Sequence, residues 1–322
     1  MSAYNNGLYA ICLPQAQHRH KVHSRNVDHN MKKLLTIILI LTISLCFSQT
    51  KEQLIDSIIK VNRVESDCVG YGCMVSPQYK RFQKLKKKIS DNELIELSKH
   101  ENPTIRTYAS KELIQSEIGN VPELLSTELQ KNEMVETFEG CIMDVKPISS
   151  IIYHEYLNKI RIEASRKIKG NNYKQNLAMQ KALATDLTME KLDSIIIYSE
   201  KEIYWLLYDR TFENRKHKTS YLPRIEELDF NMNNAYAFDY LKKYYSIEYS
   251  DKLDNYLRTV FPKAKFQTEN EVFYLHSFIE TLLERKNEEF KKIAISKLRT
   301  EKVWKERKGW FNTTLKKHGI KL

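Results

Sequence analysis

The chain has 322 residues, 42% hydrophobic and 29% charged, which excludes a disordered polar tract and suits one elongated array or two domains. Only 8 Gly and 7 Pro are present, too few for the turns of a β-rich fold, so a mainly α protein is expected. The formal net charge is +11, which fits an anionic surface. However, the densest basic run, Lys84-Leu85-Lys86-Lys87-Lys88, lies on a helix whose apolar positions are Phe82, Leu85 and Ile89. It reads as a solvated face rather than a nucleic-acid site.

Residues 1–30 show little apolar periodicity and carry His18, His20, His23 and His29. A His-rich tract can hold metal. The stronger reading is a mis-called start or a disordered extension, because residues 31–48 have the form of a secretory signal peptide. Met31-Lys32-Lys33 is the basic region, Leu34 to Leu45 the apolar core, and Cys46-Phe47-Ser48 ends in a small residue before Gln49. The apolar core is too short for a membrane span. Leu45 stands where a lipid-attachment site at Cys46 needs a small residue. Met31 is thus the expected start, the location periplasmic or secreted, and no transmembrane span remains after cleavage.

In the part from Gln49 onward, Thr50 to Val64 forms a first helix with Leu54, Ile55, Ile58 and Ile59 as its apolar stripe. Residues 65–75 read as a Gly/Cys loop. In an oxidising compartment Cys68 and Cys73 are disulfide candidates across Val69-Gly70-Tyr71-Gly72, the alternative being Cys141 with one of them. Three Cys without nearby His do not make a zinc set, and no metal is expected. Ser76 and Pro77 serve as N-cap and first-turn proline of a helix reaching about Ile89.

Ser90 followed by Glu93 is a capping box, and Leu94, Ile95 and Leu97 follow as an apolar face. Asn102 is the natural N-cap of the next helix and Pro103 suits its first turn. Ile105, Tyr108, Ala109 and Leu113 form the second stripe, with Ala109 small where two helices approach. Neither helix buries its face alone, so this hairpin needs neighbours to stack on.

The hairpin resembles a HEAT repeat. The resemblance rests on the Leu94/Leu97 helix, the Asn102-Pro103 turn, the Ile105-Arg106 pair, Ala109 and Leu113, about 25 residues in all. The preceding Val69-Gly70-Tyr71-Gly72 and Ser76 to Phe82 resemble a segment ahead of this hairpin in exported HEAT-like proteins of Bacteroidetes-type bacteria. The resemblance implies an α-α superhelix, a HEAT-like solenoid, in an exported protein, and no activity. It also implies that Arg106 ties neighbouring repeats together.

Val121-Pro122 begins another helix, with Leu124, Leu125 and Leu129. Residues 133–147 break the helical rhythm: Met134 to Phe138 leans toward β, so a short strand or a loop insertion is expected. Helical periodicity resumes from Ile148 to about Lys169, and Gly170-Asn171-Asn172 marks a soft boundary. The domains are thus 49–170, a HEAT-like helical region, and 171–322, a second helical region. In the latter, Tyr204, Trp205, Tyr208 and Phe212 form one stripe, and Ala235, Tyr236, Phe238, Tyr240, Leu241 and Tyr244 another. Ser250-Asp251 caps a helix carrying Leu253, Tyr256 and Leu257. Residues 269–285, 288–299 and 301–316 complete the array, with Trp304 and Trp310 near its end.

Chemical motifs are sparse. His154-Glu155 lacks the second His of a metalloprotease helix and reads as an exposed surface pair. His100 falls at a helix C-terminus, where a cation is favoured, and His276 reads as half-buried packing. Adjacent carboxylates such as Glu226-Glu227 and Glu288-Glu289 face different sides of a helix. There is no phosphate-cradling Gly loop and no Gly-x-Ser-x-Gly elbow, so no catalytic residue and no cofactor is assigned. Tyr244, Tyr245 and Tyr249 are candidates for an exposed interaction surface, against the plainer reading of core packing. The expected function is an exported binding or scaffold module whose partner is a protein or cell-envelope component. The alternative is a cell-envelope hydrolase with carboxylates converging from distant helices.

Overall fold

The computed structural model describes residues 49–322 together with Met31 and Lys33. The expectations for residues 1–30 and for the signal segment 31–48, those two residues apart, lie outside the described residues. The chain divides into two units, Met1–Leu54 and Ile55–Leu322, and helix α1, Lys51–Val61, runs across that division. The second unit is mainly helical and carries one small four-stranded sheet.

The sheet contains the clearest departure from the sequence reading. Residues expected as a loop form β1, Val64–Val69, and β2, Met74–Val75, an antiparallel hairpin. Cys68 and Cys73 are joined by a disulfide across its turn, and Cys141 is a free, exposed thiol. The region of 133–147 is β3, Met134–Gly140, and β4, Ile142–Pro147. The order is β2-β1-β3-β4, with β1 parallel to β3 and the other pairs antiparallel. The β1 segment Val-Glu-Ser-Asp-Cys-Val has little strand character of its own. Its ladder comes from β3, some 70 residues on, which no local pattern reveals.

Helix α2, Pro77–Lys86, starts with Ser76 accepting from the Tyr79 N–H and Pro77 in the first turn. The hairpin of α3, Asp91–Leu97, and α4, Pro103–Gln115, is built as its sequence suggests. The Ser90–Glu93 capping box is closed, and Asn102 Oδ1 accepts from the N–H groups of Thr104 and Ile105 at 3.0 and 3.1 Å. His100 sits at the turn between α3 and α4, its Nδ1 accepting from the Asn102 N–H at 2.9 Å.

Helix α4 is the joint of this half. Tyr108 accepts from the Glu65 N–H at 2.7 Å and donates to the Glu65 carbonyl at 2.9 Å, while its ring stacks on Phe82 at 4.8 Å. This clamps β1 to the hairpin. Arg106 is 1% exposed. It pairs with Glu128 of α5, Val121–Lys131, at 2.8 Å and also donates to the carbonyls of His100 and Glu101.

Helix α6, Ile148–Arg166, is followed by the Gly170 break and by α7, Asn172–Thr185, and α8, Leu187–Ile197. Tyr153 and Tyr156 of α6 donate to Asp193 and Asp186 beyond the break, so it does not divide the unit Ile55–Leu322. Then come α9, Trp205–Asn214, and α10, Leu222–Glu226, which runs into a π-helical turn, Glu227–Asn231. The array ends with α11, Ala235–Tyr244; α12, Ser246–Thr259; α13, Glu269–Glu284; α14, Glu288–Thr300; and α15, Lys308–Lys317. Helix α12 begins a turn before the expected Ser250 cap. The buried Tyr245 packs by Tyr240 and Tyr249, and its carbonyl accepts from the Tyr249 N–H. Phe238, Tyr256 and Phe261 all meet the Phe278 ring, which forms the centre of this half's core.

Candidate functional site

Three helices present matching rows to one groove of about 420 Å³. Along α9, Trp205, Asp209 and Phe212 recur at helical spacing, and along α11 Tyr236, Asp239 and Lys243 do the same. Along α13 the row is Phe273, His276 and Glu280, and α15 adds Trp310. Each row places an aromatic ring one turn from a charged or titratable side chain.

The aromatic wall is continuous. Trp205 stacks on Phe273 with centroids 4.0 Å apart and planes 12° from parallel. Tyr236 lies 6.3 Å from Trp205 on the same wall, and Trp310 meets Phe273 edge-on at 5.1 Å. Phe273 is buried, while Trp310 is 47% exposed and presents its ring to the groove. Asn270 sets the entry of α9: its Oδ1 accepts from the Trp205 N–H at 3.3 Å and its Nδ2 donates to Glu202 at 2.8 Å.

The rim is acidic. Asp209, Glu213, Asp239 and Glu280 line the groove against a single lysine, Lys243. Burial raises the carboxyl pKa of Asp239, opposed by the Ser277 hydroxyl, which donates to its Oδ2 at 2.7 Å. Burial likewise raises Asp209, opposed by neighbouring Arg210. Burial lowers the imidazole pKa of His276, whose Nε2 meets the Thr314 hydroxyl at 3.0 Å. Ser277 therefore engages a carboxylate and His276 a threonine, so the two do not act as a nucleophile–base pair.

Family models, curated proteins and solved structures return no match to the chain.

The residues singled out from sequence lie elsewhere. Asn102, Pro103, Arg106 and Ala109 are framework residues of the α3–α4 hairpin, and the Cys68–Cys73 bridge staples the sheet edge. Tyr244, Tyr245 and Tyr249 do not form a bare patch. Tyr245 is 7% exposed beneath the Lys216 ammonium, and Tyr249 is half-buried with its hydroxyl on Glu226. Tyr244 packs on Tyr240 of its own helix at 4.9 Å. His154 is exposed, with its Nδ1 3.2 Å from the Asn158 amide. Glu226 and Glu227 turn to different partners, Lys252 and Arg224.

Aromatic stripes read as core in a sequence, which hides the groove carboxylates. The signal that finds them is an Asp inside such a stripe and on the same face: Asp209 four after Trp205, Asp239 three after Tyr236. Among the described residues no three His, Cys, Asp or Glu side chains gather as a metal set, and no helix is long and apolar enough to cross a membrane.

Proposed function

We propose that the protein is an exported binding module of the cell envelope, built as a HEAT-like helical superhelix, and that the groove between α9, α11 and α13 is its recognition site for a positively charged organic group. The supporting observation is the juxtaposition of a continuous aromatic wall with an acidic rim in a net basic chain. Aromatic faces and carboxylates attract the same cation, the rings through their quadrupole and the acids through charge. The Arg106 tie between α4 and α5 and the closed Ser90 and Asn102 caps support the repeat reading. The signal-like segment before Gln49 supports export.

Two of the three tryptophans line the groove, so intrinsic fluorescence reads occupancy directly. Titration with tetramethylammonium or spermidine is expected to give a saturable change, weakened about tenfold by Asp239→Asn or Glu280→Gln. No saturable change with either cation, or the same affinity in both variants, sinks the reading.

One observation favours a second reading, a cell-envelope hydrolase: carboxylates from three helices converge on the groove, and burial raises two of them. A carboxyl raised by burial beside further carboxyls at one groove suits acid-assisted bond cleavage. Turnover of chromogenic glycosides or esters, abolished by Asp209→Asn, would favour this reading over binding alone.

A further inference from the structure

Across Glu213 and Lys243 from the groove lies a second cavity of about 580 Å³ with the opposite charge. Five basic side chains line it: Arg161 of α6, Arg210 of α9, Arg215 and Lys216 after α9, and Lys243 of α11. Two are already committed. Arg210 pairs with Glu213 at 2.8 Å, and the buried Arg215 pairs with Asp193 at 2.9 Å and caps α7 carbonyls.

The other three, Arg161, Lys216 and Lys243, have no carboxylate partner among the described residues. All three are exposed, whereas several more deeply placed lysines pair with carboxylates. Lys111 lies 3.3 Å from Glu155, Lys159 2.8 Å from Glu117 and Lys297 2.9 Å from Glu301. The lysine heads here lie over rings, Lys216 over Tyr245 at 4.6 Å and Lys243 over Tyr244 at 4.8 Å, and Lys243 also donates to the Glu213 carbonyl at 3.3 Å. Such contacts steady the stems without neutralising the charge. Concave walls focus the field of unneutralised charges on whatever enters. The remaining wall is mixed: the Asn176 and Gln180 amides stand one turn apart on α7 beside the apolar Met179, Leu183 and Ala184, and the one carboxylate, Glu213, is taken up by Arg210.

The geometry points to this cavity as a binding site for a sugar-sized organic anion bearing a tetrahedral oxyanion ester, a phosphate or a sulfate. Three cations without a carboxylate partner meet the oxyanion, Arg161 offering the two-pronged donor set that suits it. The α7 amides meet hydroxyl groups, and the cavity volume is that of an ordinary small-molecule site.

Isothermal titration of the full chain with glucose 6-phosphate, glucose 6-sulfate and glucose tests the site. Saturable binding is expected for both esters and none for glucose. A tighter phosphate, with affinity rising as its second proton leaves, marks phosphate as the preferred ester; equal affinities mark the site as reading the oxyanion alone. Arg161→Gln and Lys216→Gln are each expected to weaken binding about tenfold, the loss of one charge-assisted contact. Both positions are exposed, and an unchanged melting temperature certifies the fold. Lys87→Gln, an exposed lysine beyond α2, is expected to leave affinity unchanged. The proposal is overturned if neither ester binds, if glucose binds equally, or if Lys87→Gln weakens binding as much as the cavity variants do.

Discussion

His217 shows how far burial can move a single residue. It is 6% exposed, packed among Phe212, Tyr221 and Tyr240, and its Nε2 meets the Thr211 carbonyl at 3.0 Å. Burial pushes its imidazole down to about 4. The folded chain therefore takes up this proton less readily than the unfolded chain, whose histidine titrates near ~6.5. The contribution to stability is complete above that value and is lost as pH falls through the window down to about 4. The loss is on the order of 3 kcal/mol. Asp193, Asp209 and Asp239 work the other way, because burial raises them and folding then binds protons. The comparison that isolates His217 is urea denaturation of wild type and His217→Phe at several pH values. The difference between them is expected to shrink as pH falls from neutral toward 4, and a constant difference would show that the ring does not titrate in that window. Nothing in Lys216-His217-Lys218 signals this burial; the surrounding sequence is among the most polar in the chain.

At the scale of elements, the tie between α4 and α5 rests on Arg106. Its guanidinium is shut from water, bonded to Glu128, Glu133 and two carbonyls. Arg106→Gln leaves the 2% exposed Glu128 without its principal counter-charge, since Lys131 approaches it only to 3.7 Å. Breaking a buried pair from one side costs about 3–5 kcal/mol. Chemical denaturation should show a loss of that size, with part restored by adding Glu128→Gln. A loss below about 1 kcal/mol would place the pair among surface ion pairs instead. The hairpin around Arg106 was legible because its signals are local: Ser90, Glu93, Asn102 and Pro103 all act within three residues of themselves. The β1–β2 hairpin was not, because β1 takes its strand character from a parallel partner far along the chain.

For the whole molecule, the sequence break at Gly170-Asn171-Asn172 and the structural division fall in different places. Hydrogen bonds from Tyr153 to Asp193 at 2.7 Å and from Tyr156 to Asp186 at 3.2 Å span the break, and α7 returns along α6. A connection that rejoins through buried partners couples the two sides in unfolding. Differential scanning calorimetry is expected to show Ile55–Leu322 melting in one transition; two resolved transitions would mean that 171–322 folds apart from what precedes it. The same long-range assembly creates both candidate sites. The groove draws on α9, α11, α13 and α15, and the basic cavity on α6, α7, α9 and α11.

Sequence alone determined what depends on near neighbours: helical content from periodicity and scarce Gly and Pro, helix starts from Ser and Asn caps, and the aromatic stripes. Tertiary structure decided what depends on distant segments meeting: the four-stranded sheet, the burial of His217 and Tyr245, and which charges find partners. A stripe of rings looks the same in sequence whether it faces another helix or a cavity. Asp209 and Asp239 become a rim only because α13 stands opposite them, and Arg161, Lys216 and Lys243 share one cavity only because α6, α11 and the segment after α9 meet there.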